Sequence, residues 1–218
     1  MDFSLIILAG GRSRRIDEDK GLKILAGEPL INHVMSRFSN FVDEIIVVLK
    51  SEIQKRAYSQ VLENDARLLI DLDKGESPLV GALTGFKESN AAYAFLTGCD
   101  TPFISTAAIR LLLENVRGFD AATFQWPNGW IEPLTAAYRI EPSMRLAKAY
   151  YMQGELRLRK VLTSLPRLKI LPVSMLQDFD PNLLTFFDLD TLEDFQKAEK
   201  ILKGAEVAHF SSRRFSNI

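Results

Sequence analysis

The apolar run Phe3 to Leu8 ends directly in Ala9-Gly10-Gly11, and this junction limits what the chain can become more than any other stretch. An apolar segment of that length bounded by glycines reads as a buried strand. Residues with little or no side chain let the backbone turn sharply at the strand's end and bring its N–H groups onto an anion. Arg12, Arg14, Arg15 and Lys20 follow closely. Arginine forks match phosphate oxygens in pairs and lysine adds a compact charge, so the loop suits a nucleoside triphosphate. The two familiar glycine loops, G-x-G-x-x-G and G-x-x-x-x-G-K-[ST], are both absent.

Downstream, short apolar runs alternate with segments of helical period. Strands are predicted at Phe3 to Leu8, Glu44 to Leu49, Arg67 to Asp71, Ala92 to Thr97 and Ala121 to Phe124. Between them lie a helix opened by Pro29 and striped with Leu30, Val34, Met35 and Phe38, and helices over Ser51 to Leu62, Leu79 to Lys87 and Thr106 to Asn115, the last ended by Gly118. Alternation of this kind predicts a three-layer, Rossmann-like α/β fold, a mostly parallel sheet with helices on both faces. After Gln125 the pattern changes. Trp126 to Trp130 is turn chemistry, and Ile131 to Tyr138 reads as a strand returning antiparallel at the sheet's edge. Helices over Ser143 to Met152 and Glu155 to Ser164, strands at Leu168 to Pro172 and Leu184 to Leu189, and a helix over Leu192 to Leu202 complete the order. One domain over 1–203 is expected, with a polar tail over 204–218.

Composition narrows the function classes. Lysine and arginine number 27 against 28 acidic residues, a net charge of −1, so no global basic field recruits nucleic acid and any anion site must be local. The single cysteine, Cys99, rules out an internal disulfide and predicts a reducing, cytoplasmic setting. No C-x-x-C or H-E-x-x-H spacing offers a zinc site, and no apolar run approaches the roughly 18 residues of a membrane span. Cys99 has no histidine near it in sequence and reads as a small buried residue; His33 and His209 sit in no catalytic pattern.

The order L-A-G-G-x-S-x-R-[IM] from Leu8, followed by Asp19-Lys20-Gly21-Leu22, resembles the nucleotidyltransferase family typified by molybdenum cofactor guanylyltransferases. The resemblance runs from Phe3 to about Leu202 and implies a fold of the nucleotide-diphospho-sugar transferase type. It implies a nucleotide site built from Leu8, Ala9, Gly10, Gly11, Arg12 and Lys20, with Lys20 and Arg15 supplying positive charge to the reaction. Asp71 at a strand end, and Pro78 and Leu79 in a segment similar to the family's G-P-L-x-G, join that site by the same resemblance; Asp71 could equally cap its strand. Ser77 replaces the family's usual glycine, and Val47-Val48-Leu49-Lys50 lacks the asparagine often found in guanine-specific members.

Asp100-Thr101-Pro102-Phe103 resembles the family's D-x-P-[FY] motif, whose aspartate binds Mg²⁺, and follows a strand where a parallel sheet gathers its ligands. Capping of the next helix is the alternative role for Asp100. Asp188 to Phe195 resembles the second ligand segment, with Leu192 in place of proline. Asp188 is the expected second Mg²⁺ ligand; Asp190, on the same side, is a ligand or a helix cap. One or two carboxylates suffice for Mg²⁺ when phosphate oxygens complete the shell.

The second substrate is expected at Glu132, in a stretch similar to the family's [QEH]-P-L-x-[AG]-x-Y strand, and at Arg159, after a glycine; each also suits an exposed surface. Trp126 and Trp130 stack on a pterin or pack as cross-strand aromatics. The resemblance therefore implies Mg²⁺-dependent transfer of GMP from GTP to a molybdopterin-type cofactor, carrying molybdenum or tungsten or neither, with pyrophosphate released and transient contact with molybdoenzymes or cofactor-insertion proteins. Cytidylyl or other nucleotidyl transfer to the pterin or another small phosphate monoester is the nearest alternative, and a non-catalytic nucleotide-binding adaptor the next.

Overall fold

A computed structural model describes residues 2–10, 19–62, 66–72 and 77–204. In chain order the strands are β1 (Phe3–Leu8), β2 (Ile24–Leu25), β3 (Glu28–Pro29), β4 (Glu44–Leu49), β5 (Arg67–Ile70), β6 (Tyr93–Gly98), β7 (Ala121–Gln125), β8 (Ile131–Arg139) and β9 (Leu168–Pro172). The α-helices are α1 (Leu30–Phe38), α2 (Glu52–Ser59), α3 (Pro78–Glu88), α4 (Thr106–Asn115), α5 (Ile140–Met152), α6 (Leu158–Ser164) and α7 (Leu192–Leu202). A seven-stranded sheet runs β5-β4-β1-β6-β8-β7-β9, and β2 pairs with β3 in a small antiparallel hairpin. Neighbours are parallel except where β8 meets β6 and β7. The antiparallel strand thus lies inside the sheet, with β7 and β9 beyond it.

Alternation along each strand divides the core in two. Leu5, Ile7, Val47, Leu49, Phe95 and Phe124 face α1, α2 and α4, while Ile6, Ile46, Val48, Leu96 and Tyr138 face α3, α5 and α6. Each fully buried apolar side chain of this size contributes about 1.5–3 kcal/mol, so a one-residue slip of β1 would exchange the two sets and forfeit both. A third cluster, Leu25, Leu30, Phe103, Phe187, Leu189, Phe195 and Ala198, seats α7 against the hairpin. Short polar residues start four of the helices: Ser51 accepts from Gln54 N, Ser77 from Leu79 N, Ser105 from Ala108 N, and Thr191 with Asp194 forms a reciprocal box.

Several expectations need correction. Leu184 to Leu189 is not a strand: Leu183 takes a left-handed φ of 50°, and the Asp180 carboxylate accepts from Leu184 N and Thr185 N at 2.8 Å, winding Leu184–Phe186 into a 3-10 turn. Phe186 then packs in one cluster while Phe187 and Leu189 pack in another. Pro29 caps α1 rather than opening its first turn, because it closes the β2–β3 hairpin. α5 begins at Ile140, three residues early, since proline in a helix's first turn removes no bond. α6 begins at Leu158 and α2 ends at Ser59, each shorter than expected. Gly118, with φ 82°, falls past the end of α4 at Asn115. Pro133 is accommodated within interior β8 at an irregularity, where Thr123 pairs with Ala136 but Gln125 with Ile131. Residues 205–218, most of the expected tail, lie outside the described residues. Among those described, no helix is long and apolar enough to cross a membrane.

Candidate active site

The carboxyl ends of four parallel strands stop in one row. Ala9 N donates to Val48 O at 2.9 Å, Cys99 N to Leu8 O at 3.3 Å, and Asp71 N to Leu49 O at 2.7 Å, so the residues just past β1, β4, β5 and β6 continue the ladder onto a common crest. Ala9, Gly10, Lys50, Asp71 and Asp100 stand along it. Open α/β sheets hold their ligands at this edge.

Lys20 reaches the crest from the 3-10 turn Lys20–Leu22. Its Nζ lies 3.1 Å from Asp100 Oδ2 and also donates to Asp190 Oδ1. The lysine side chain is 12% exposed, so the charge is largely withdrawn from water and depends on these partners. Burial alone lowers its pKa; the Asp100 charge and the Asp190 hydrogen bond more than reverse that, leaving it above the ordinary lysine value. Lys20 is therefore a permanent cation at physiological pH.

Asp100 folds back over its own strand end. A Cβ on Gly98 would collide with Asp100 Oδ1, so only glycine leaves the carboxylate that space. Thr97 and Thr101 hydroxyls, 3.0 Å apart, close the turn beneath it. Helix capping is excluded for Asp100, because Ser105 caps α4. The Asp188–Asp190 segment is fastened alongside: Leu189 N donates to Asp100 O at 2.9 Å and the Leu189 side chain is buried in the α7 cluster. Asp188 and Asp190 flank that contact. Thr191 caps α7, so Asp190 turns instead to Lys20.

Asp71 accepts from Thr84 Oγ1 of α3 at 2.6 Å, which holds the carboxylate against the helix's first turns near Gly81. Pro78 and Leu79 open that helix, and Ser77 Oγ donates to Leu156 O at 2.6 Å, tying its start to the α5–α6 connection. A Cβ on Gly10 would come within 2.9 Å of Lys50 Cγ, which places the Lys50 stem beside the glycine loop. Leu8 and Ala9 lie at the crest as expected; Gly11, Arg12 and Arg15 lie outside the described residues.

The second-substrate candidates fall on the same edge. Thr97 of β6 pairs with Thr135 of antiparallel β8, so the first residues of β8, Glu132 among them, lie at the end of the sheet where β6 finishes. Glu132 Oε1 accepts from Trp126 Nε1 at 2.6 Å, while the Trp126 ring packs on Phe186. Arg159 stacks over Trp130, its guanidinium 4.4 Å from the ring centroid. Arg157 is occupied by Glu155 at 2.6 Å, and this hydrogen-bonded pairing pulls the glutamate's pKa down to about 2.

Sequence reasoning missed the group that supports Lys20. Tyr58 Oη donates to Asp19 Oδ1 at 2.6 Å, and Gln54 Nε2 donates to Asp19 Oδ2 and, at 3.1 Å, to Ala9 O. A Cβ on Gly21 would overlap Tyr58 Oη and lie 3.0 Å from Cζ, which explains the glycine after the lysine. Burial, then the nearby Cys99 and Asp19, pushes the Tyr58 hydroxyl far above its ordinary pKa, so it remains a donor. Cys99 is raised as well, by burial first and then by Asp100 and Asp19, which keeps it a buried thiol rather than a nucleophile. The signal in the sequence was the spacing: residues 54 and 58 share one face of a short helix.

A family profile for the MobA-like NTP transferase domain matches residues 5–169, about three-quarters of the chain. The chain belongs to this family. It is 32% identical over 202 residues to the probable molybdenum cofactor guanylyltransferase of Methanosarcina acetivorans, covering 88% of each chain. It also superimposes on the crystal structure of molybdopterin-guanine dinucleotide biosynthesis protein A from Archaeoglobus fulgidus with a TM-score of 0.77 and 26% identity, covering 92% of this chain and 99% of that one. The fold extends to more distant enzymes: 4-diphosphocytidyl-2C-methyl-D-erythritol synthase from Anaerococcus prevotii gives a TM-score of 0.69 at 14% identity over 93% of this chain and 96% of that one. As a MobA-like NTP transferase, the protein is a nucleotidyltransferase, and its α/β fold is the nucleotide-diphospho-sugar transferase type.

Proposed function

We propose that this nucleotidyltransferase transfers GMP from GTP to a molybdopterin-type cofactor and releases pyrophosphate. The observation that carries the reading is the convergence of Lys20 with Asp100 and Asp190 at the sheet crest, beside the glycine loop, in a chain whose relatives bear that activity in their names. The acceptor's terminal phosphate is its own nucleophile. A phosphate monoester loses its second proton at a pKa of about 6, so no protein base is required. One of its oxygens forms a bond to the α-phosphorus of GTP as the bond to the bridging oxygen of pyrophosphate breaks. The protein's task is alignment and neutralisation of the charge that develops.

Lys20, held as a cation, would meet the triphosphate, with backbone N–H groups at Gly10 and Gly11 and the side chains of Arg12 and Arg15 completing the cradle. Asp71, Pro78 and Leu79 would flank the nucleoside. Asp100 follows the central strand β6, and the backbone beside Asp188 is bonded to it through Leu189 N; two carboxylates on joined segments suit Mg²⁺, which takes one or two carboxylates together with phosphate oxygens and water. Asp100 and Asp188 would hold the ion, which when bound lowers the charge of the triphosphate and of the departing pyrophosphate. Glu132 and Arg159 would orient the acceptor.

A thermal-shift panel of GTP, CTP, ATP and UTP with Mg²⁺ tests the nucleotide, because a ligand at a hundred times its Kd stabilises the fold by about 2.7 kcal/mol. Mass spectrometry of molybdopterin incubated with the protein and each nucleotide tests the product. Stabilisation by GTP and addition of GMP are expected. A cytidylyl adduct would establish the alternative transfer. Nucleotide binding with no pyrophosphate release from any acceptor would leave an adaptor.

A further inference from the structure

We propose that Tyr58 and Gln54 are positioning residues for nucleotidyl transfer, acting through Asp19 to hold Lys20 at the crest. The inference rests on the function proposed above and extends it to residues outside the cleft. Asp19 and Lys20 are neighbours in sequence, yet their side chains serve opposite sides. Lys20 points to Asp100 and Asp190, whereas both oxygens of Asp19 are met by α2, Oδ1 by Tyr58 Oη at 2.6 Å and Oδ2 by Gln54 Nε2, and Oδ1 also caps its own turn by accepting from Gly21 N at 3.2 Å.

Gln54 joins three parts of the site with one amide. Its Nε2 also reaches Ala9 O at 3.1 Å, at the start of the glycine loop, and its Oε1 accepts from Lys50 N at 2.7 Å, past the end of β4. Tyr58 is fully buried and anchors this amide's helix in the core. A lysine's four-carbon stem holds no geometry alone; holding the Asp19 side chain fixes where that stem leaves the chain, while Asp100 and Asp190 hold its head. Displacement of a charged group by about 1 Å can cost on the order of a hundredfold in rate.

A double-mutant cycle tests this, with GTP, Mg²⁺ and molybdopterin as substrates and pyrophosphate release as the readout. Tyr58→Phe keeps the ring and removes the bond to Asp19; it should lower kcat about tenfold, the effect of losing one hydrogen bond to a charged group. In a Lys20→Ala background the same change should alter kcat by less than about twofold, because the side chain it positions is gone. Gln54→Ala, at a half-buried position that leaves the buried Tyr58 ring in place, provides the second arm and should behave in the same way. Equal losses in both backgrounds, or none in the native one, would overturn the proposal, since a purely structural role acts whether or not the lysine is present. A Lys20→Ala protein with undiminished kcat would remove Lys20 from the chemistry and this inference with it, whereas a native protein that releases no pyrophosphate from GTP and molybdopterin would strike down the assigned function.

Discussion

Lys20 and Asp100, separated by 80 residues in the chain, meet at 3.1 Å across the end of the central strands. The contact joins the glycine loop's motif to the motif that follows β6, and it places a buried cation beside a carboxylate on the edge where parallel sheets bind ligands. Removing Lys20 leaves Asp100 and Asp190 without their shared cation, and removing Asp100 leaves Lys20 with Asp190 alone.

Lys20→Ala and Asp100→Ala should each reduce the transfer rate at least about a hundredfold, the scale of about 3 kcal/mol of lost transition-state stabilisation. Steady-state pyrophosphate release measures it. Retention of the rate by either variant would remove that residue from the chemistry.

The two aspartates beside Leu189 should separate by metal dependence. Asp188→Asn is expected to raise the Mg²⁺ concentration for half-maximal rate by about tenfold or more, on the scale of a disturbed ligand set. Asp190→Asn, which removes a partner of Lys20, should lower kcat at saturating Mg²⁺ and move the metal requirement far less. A Mg²⁺ titration of both variants decides, and the reverse pattern would make Asp190 the ligand.

Gly21→Ala should destabilise the protein by about 1–3 kcal/mol, because the new methyl meets the Tyr58 hydroxyl in a filled space. Combining it with Tyr58→Phe removes the nearest clash and should recover part of that loss in a chemical melt. Strict additivity of the two changes would show that the hydroxyl is not the obstacle.

Asp120 fastens the opposite edge of the sheet. It accepts from Arg167 Nη2 at 2.7 Å, and this hydrogen bond, with the charges of Arg167 and Arg139, holds the carboxyl below its ordinary value of 3.8 despite burial. A depressed folded pKa means stability that is present above the unfolded value and lost as pH falls through the folded one. Asp120→Asn should therefore melt below the native protein near neutrality, with the gap closing below about pH 4. A gap that stays constant with pH would show that the ion pair contributes nothing.

Much of the architecture was legible because strand and helix periods leave a local trace. Phe3 to Leu8 and the stripe from Leu30 to Phe38 needed no partner to be recognised. Local pattern failed at Leu184 to Leu189, whose apolar residues are shared between two clusters and whose backbone is wound by the Asp180 carboxylate. It failed too at β8, whose interior place depends on which strands accept it on either side.

The glycine loop and the basic residues after it pointed to a phosphate ligand from residue type and spacing, and resemblance to a family added the aspartates after β6 and before α7. Which of those groups touch was decided only when the strands stacked in register. That step brought Lys20 to Asp100 and Asp190, set the start of β8 beside the end of β6, and put Tyr58 and Gln54 behind Asp19. Contacts of this kind join residues far apart along the chain, and no local propensity encodes them.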